Sequence, residues 1–136
     1  MLAEVGDGLD ATRVHFVGLV SYENLLKLFS ISTAHVYLTY PFVLSWSLLD
    51  AMACEALVVG SDTAPVREVI RDGANGFLVD FFDHAALADK LTEICRNPNG
   101  YGDIRRAARE TVLAEFDQKA VCLPAWLKLV DDVLSG

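Results

Sequence analysis

The chain is 136 residues long with 53% hydrophobic and 22% charged residues, which fits one packed domain and excludes disordered and fibrous classes. Asp and Glu outnumber Lys and Arg 19 to 11, and the net charge of −8 excludes a general nucleic-acid binder, which rests on clustered cations. No apolar run reaches the ~20 residues needed to cross a bilayer, and Met1-Leu2-Ala3-Glu4 lacks the regions of a signal peptide, so a cytoplasmic place is expected.

In chain order, Val14-His15-Phe16-Val17-Gly18 reads as a short strand, followed by Ser21 as N-cap of a helix from Tyr22 to Ile31. Leu25, Leu28 and Phe29 share one face of that helix. His35-Val36-Tyr37-Leu38-Thr39 is the next strand, stopped by Pro41, which lacks an N–H for the ladder. A helix from Ser47 to Cys54 leads to Ala56-Leu57-Val58-Val59-Gly60, whose unbroken apolar run predicts a strand covered on both faces. Asp62 or Thr63 caps a short helix with Pro65 at an early position. Asp72-Gly73-Ala74-Asn75-Gly76 is a turn, and Phe77-Leu78-Val79-Asp80 is a fourth strand.

Three helices follow, at about Asp83 to Arg96, Tyr101 to Glu115 and Asp117 to Leu134, with a kink expected at Pro124. Residues 1–136 therefore read as one α/β domain, a parallel sheet with flanking helices. Cys54, Cys95 and Cys122 are widely spaced, without a Cys-x-x-Cys or a paired His, and are expected to be buried thiols.

In an open parallel sheet, ligands bind beyond the carboxyl ends of the strands, where helix N-termini leave amides free. The segment Thr39-Tyr40-Pro41-Phe42-Val43-Leu44-Ser45-Trp46-Ser47 occupies such a place. Amides around Ser45, Trp46 and Ser47 suit an anion, each dipole contributing about 0.3–1 kcal/mol. The alternative is a helix capped by Ser45, with Phe42, Val43, Leu44 and Trp46 as core. Glu68 reads as a surface ion-pair partner of Arg67 or Arg71. His15 and His84 read as structural residues.

The stretch Leu48-Leu49-Asp50-Ala51-Met52-Ala53-Cys54-Glu55-Ala56-Leu57-Val58-Val59-Gly60-Ser61-Asp62 resembles the retaining nucleotide-sugar glycosyltransferases of GT-B fold, in their "glycosyl transferases group 1" C-terminal domain. That family's pattern there is Leu-Leu-Glu-Ala-Met-Ala-Cys-Gly-x-Pro-Val-Val-Ala-Ser-Asp. The resemblance extends through Pro65-Val66-Arg67-Glu68-Val69-Ile70, Asp72 to Val79 and Arg106-Ala107-Ala108-Arg109, and begins at His15-Phe16-Val17-Gly18.

It implies a partial GT-B C-terminal domain with a Rossmann-like sheet. It further implies metal-independent transfer of sugar from a nucleoside diphosphate sugar to a saccharide or lipid acceptor, with no cofactor beyond that donor. Of the family's two acidic positions eight residues apart, the second is Asp50, implied to bind the donor ribose. The first is Phe42, whose ring accepts no hydroxyl hydrogen bonds, so weak or no turnover is expected from this chain.

The donor-binding stretch implied is Phe42, Val43, Leu44, Ser45, Trp46, Ser47 and Asp50, with Val17 and Leu19 where the base rests and Thr63 facing the donor. No single catalytic residue is assigned. Glu55 stands where the family carries Gly after the helix, a position that favours positive φ.

The resemblance also implies that an N-terminal acceptor domain and two strands before His15 are absent. The resulting gap in the sheet would be closed, leave the first strand loosely attached, or pair edges with another chain. A homodimer through sheet edges, or a rearranged edge, is expected on that basis. Peripheral membrane association of the full-length enzyme fits the same reading. The rival readings are a non-catalytic nucleotide-binding or assembly module and a response-regulator-like domain. The second needs a Lys in a late loop, and none follows Asp80 before a helix.

Overall fold

A computed structural model describes residues 10–40 and 42–136; residues 1–9 and Pro41, including the expected strand stop, lie outside the described residues. Three parallel strands, β1 (His35–Tyr37), β2 (Val58–Ser61) and β3 (Phe77–Val79), form the sheet in the order β1-β2-β3. His35 lies opposite Val58, and Val59 opposite Phe77. Parallel neighbours need a crossover. Helix α2 (Trp46–Ala53) supplies it between β1 and β2, and the single turn α3 (Ala64–Arg67) between β2 and β3. Helix α1 (Tyr22–Ile31) precedes β1, while α4 (His84–Arg96), α5 (Gly102–Glu115) and α6 (Leu123–Ser135) follow β3.

All four residues of β2 are buried, as its apolar run predicts for a strand covered on both faces. Successive side chains point to opposite faces. Val58 packs with Phe29, Leu48, Met52, Val66 and Ile70 beneath α1, α2 and α3, while Val59 packs with Phe77, Val79 and Ile94 beneath α4. Asp83 caps α4 by accepting the Ala86 N–H at 2.8 Å, and Ser21 caps α1 by accepting that of Asn24 at 3.4 Å.

The expected strand Val14–Gly18 is not formed; the segment is irregular, and Phe16, Val17 and Leu19 are exposed. A strand exists only where a neighbour completes its ladder. Here β1 hydrogen-bonds to β2 alone, and nothing pairs with Val14–Gly18 among the described residues. The sheet is thus three-stranded and continuous, with this segment attached outside it.

Glu55 adopts φ 58°, the left-handed conformation expected at its position. It completes a Schellman closure, in which Ala56 N–H donates to Ala51 C=O and Glu55 N–H to Met52 C=O, both at 3.0 Å. Helix α5 supplies two cations to the same end. Arg105 donates to the carbonyls of Glu55 at 3.1 Å and Thr33 at 2.6 Å, and Arg109 donates to that of Ala53.

The turn after α3 is held by buried Asn75, which accepts the Arg71 N–H at 2.7 Å and donates to Val69 C=O and Thr111 Oγ1, each at 3.0 Å. Gly73, at φ 70°, makes the bend. Cys95 is exposed and Cys54 and Cys122 are half-buried, against the expectation of buried thiols. On α4 it is Ile94 that turns inward, which sends the adjacent Cys95 out. The last helical stretch begins at Gln118 and changes its winding at Leu123. A π-helical turn, Gln118–Cys122, precedes α6, and Pro124 falls in its first turn, where its missing N–H is tolerated.

Candidate functional site

The carboxyl edge of the sheet gathers the loop after β1, the start of α2 and the ends of β2 and β3. The loop is anchored from below. Tyr37, the last residue of β1 and buried, accepts the Ser45 N–H on its hydroxyl at 2.8 Å. Ser45 then caps α2, its Oγ accepting the Ser47 N–H at 3.3 Å and lying 3.0 Å from Ser47 Oγ. Of the three amides read as an anion cradle, those of Ser45 and Ser47 therefore already have protein acceptors. Only the Trp46 N–H has none among the described residues.

The reading of Phe42, Val43, Leu44 and Trp46 as core is corrected at three of its four positions. Leu44 packs against the core, but Phe42, Val43 and Trp46 are exposed, Trp46 at 86%. The loop faces solvent with its large apolar side chains.

Asp50 lies one turn into α2 and is half-buried. Its Oδ1 accepts a hydrogen bond from the Tyr22 hydroxyl at 2.9 Å, which ties the first turn of α1 to the middle of α2. The bond holds the Tyr22 phenol above the ordinary tyrosine range, helped by desolvation and by the Asp50 charge. Asp50 also stands at the lip of a groove of about 530 Å³ between α2, α5 and the start of α6, lined by Leu44, Trp46, Phe116 and Trp126 among others. Val17 and Leu19 are exposed on the segment that enters α1, where Gly18 turns at φ 62°. The Tyr22–Asp50 bond thus brings two of the stretches singled out in the sequence to one place.

At the end of β2, buried Ser61 clasps Thr39 from both sides, its Oγ donating to Thr39 C=O at 2.8 Å and accepting Thr39 N–H at 3.0 Å. Thr63 caps α3 through its backbone alone, and its Oγ1 is buried without a hydrogen-bond partner. Arg67 pairs with Asp62 through two hydrogen bonds, which hold the Asp62 carboxyl below its ordinary range. Arg71 pairs with Glu115 at 3.0 Å. The expected ion pair of Glu68 with either arginine is therefore not made, because both arginines face other acids.

Beyond β3, Tyr40 stacks on Phe81 at 5.5 Å and meets Phe82 edge-on at 5.1 Å. His15 is exposed in the irregular segment and His84 is exposed at the start of α4.

Sequence reasoning missed Tyr22, Tyr37, Ser61 and the Tyr40–Phe81–Phe82 cluster. Tyr37 lay inside a strand and read as a sheet residue, and Ser61 read as the start of the turn after one. Tyr22 carried one signal, an aromatic side chain at the first helical position, where a buried role is unexpected. No group of three or more His, Cys, Asp or Glu among the described residues is arranged to hold a metal ion. No helix among them is long and apolar enough to cross a membrane.

A family model described as "Glycosyl transferases group 1" matches residues 9–111. The chain is 27% identical over 109 residues to N-acetyl-alpha-D-glucosaminyl L-malate synthase of Bacillus anthracis, covering 80% of this chain and 28% of that protein. It is 50% identical over 50 residues to phosphatidyl-myo-inositol mannosyltransferase of Mycobacterium leprae, covering 37% of this chain and 13% of that one. Among solved structures, sucrose-phosphate synthase from Thermosynechococcus elongatus superposes with a TM-score of 0.81 at 25% identity, over 93% of this chain and 32% of that one. The chain thus spans less than a third of each of these proteins.

Proposed function

The chain belongs to the glycosyl transferases group 1 family, and from that premise we propose that its carboxyl edge is the donor site of a sugar transferase, taking a nucleoside diphosphate sugar. The observation that carries the reading is Asp50. Its carboxylate stands at the second acidic position of the motif, on a helix fixed at its far end, and among the described residues its Oδ2 accepts no protein hydrogen bond. A ribose hydroxyl supplies the missing donor.

The Trp46 N–H and the hydroxyls of Ser45 and Ser47 are the donors this chain offers a diphosphate as negative charge develops on the leaving group. Val17 and Leu19 offer apolar surface to the base, whereas Thr63, read from the sequence as facing the donor, has its Oγ1 buried. Phe42 has no proton-accepting group for a sugar hydroxyl, so the contact it gives a transferred sugar is one of shape. The acceptor and a partnering N-terminal domain belong to the same proposal.

The test is calorimetric titration of the chain with UDP, GDP and ADP. Saturable binding of one of them, weakened about tenfold or more by Asp50→Ala, is the expected result. Binding unaffected by that substitution, or none at millimolar ligand, sinks the reading.

One observation favours a second reading, a nucleotide-binding or assembly module without transfer. Phe42 is 72% exposed and replaces an acid at the site. Tight donor binding with no sugar release or transfer by a chain that includes the partner domain selects it.

A further inference from the structure

We infer that Tyr22 is a specificity-determining residue of the donor site, forming with Asp50 a two-residue receptor for the vicinal hydroxyls of a ribonucleotide. The inference rests on the reading of Asp50 as the ribose ligand, and adds a partner that the motif does not contain.

Tyr22 and Asp50 are 28 residues apart in sequence, yet the phenol donates to Oδ1 at 2.9 Å. A surface tyrosine gains little from one such bond, and Tyr22 is 61% exposed, so packing does not explain its orientation. Its place at the first position of α1, behind the Ser21 cap, is set by the helix and not by a core contact. Two consequences follow for a diol. The hydroxyl holds one oxygen of Asp50 and so limits the carboxylate's rotation, leaving Oδ2 to accept. Having donated its proton to Asp50, the Tyr22 oxygen keeps lone pairs and is itself an acceptor. Two hydroxyls on adjacent carbons then find two acceptors on a pair of helices, whereas a deoxyribose leaves one or both unmet.

The charge on this pair also sets its selectivity. A carboxylate with a phenol hydrogen-bonded to it accepts hydroxyl protons and repels anions. The pair therefore suits the neutral ribose rather than the phosphates, which go to the amide and hydroxyls at the start of α2.

The deciding experiment compares UDP, GDP and ADP with their 2′,3′-dideoxy counterparts on the unsubstituted chain, Tyr22→Phe and Asp50→Ala. Tyr22→Phe keeps the ring and removes only the hydroxyl, so circular dichroism and the urea midpoint stay close to those of the parent chain. The expected result is a loss of about fivefold to tenfold in affinity for the ribonucleotide, with affinity for the dideoxy form unchanged.

Equal losses on both forms would mean a merely structural role, and tighter ribonucleotide binding would mean that Tyr22 competes for Asp50; either overturns the inference, as does no change on either form. Where Asp50→Ala weakens the ribonucleotide but Tyr22→Phe does not, the inference alone fails. Where neither nucleotide binds the unsubstituted chain, or Asp50→Ala changes nothing, the donor-site reading fails and takes the inference with it.

Discussion

Arg105 of α5 donates at 3.1 Å to the carbonyl of Glu55, the one non-glycine residue with positive φ among the described residues. The cation thus lies at the negative end of α2, where charge and unsatisfied carbonyls both favour it. Its second bond, to Thr33 C=O, ties the same point to the approach to β1.

Replacing Glu55 with glycine removes the Cβ that the left-handed conformation disfavours. The Schellman bonds are backbone bonds and survive. The 3.9 Å approach of Arg109 to the Glu55 carboxylate is lost, but both side chains are about half exposed, so that loss is small. Glu55→Gly is expected to stabilise the chain by about 0.5–1 kcal/mol, read as a higher urea midpoint at unchanged slope.

Asn75 uses its side chain in three hydrogen bonds while almost fully buried, and Asn75→Ala leaves the Arg71 N–H, the Val69 carbonyl and Thr111 short of partners. The expected loss is about 2–3 kcal/mol, with a fall in thermal midpoint, and Asn75→Asp recovers only the acceptor part.

Gly76 leaves little room for a side chain. A Cβ there lies 3.3 Å from the Val58 carbonyl and 3.1 Å from Ile70 Cγ2, neither of which can retreat from a filled core. Gly76→Ala is expected to destabilise by about 1–3 kcal/mol in urea denaturation.

Burial holds the His35 imidazole below its ordinary range, and its Nε2 is buried without a partner beside the Phe29 ring, 4.8 Å away. The folded chain therefore binds this proton less readily than the unfolded chain. Stability is undiminished above about pH 6.5 and falls as pH drops below it toward the lower folded value. Urea midpoints at pH 7.5 and 5.5 should show the decline. His35→Phe should flatten it.

The three strands and six α-helices among the described residues were almost all legible, because their signals are local: the unbroken apolar run of β2, the caps at Ser21 and Ser45, and Pro65 inside the start of α3. Val14–Gly18 failed for the complementary reason, since its strand-like composition says nothing about whether a partner stands beside it. Within the candidate site, the loop and Asp50 were legible from the motif. The engagement of the Ser45 amide by Tyr37 was not, because a strand tyrosine shows its reach only when the loop folds back over it. The Tyr22–Asp50 bond likewise joins two helices whose relative placement no spacing encodes.

The arginine clamp gives α2 the mechanics of a lever. Its carbonyl end is fastened to α5, and its other end, at Ser45, carries the exposed loop. Eight helical residues span about 12 Å, so a tilt of about 5° at the fastened end moves the Ser45 end by about 1 Å. A displacement of that size is about a hundredfold matter for chemistry that depends on alignment. The aim of the loop is therefore set from two places, by the Tyr37 hydroxyl beneath Ser45 and, some 12 Å away, by the two guanidinium groups of α5.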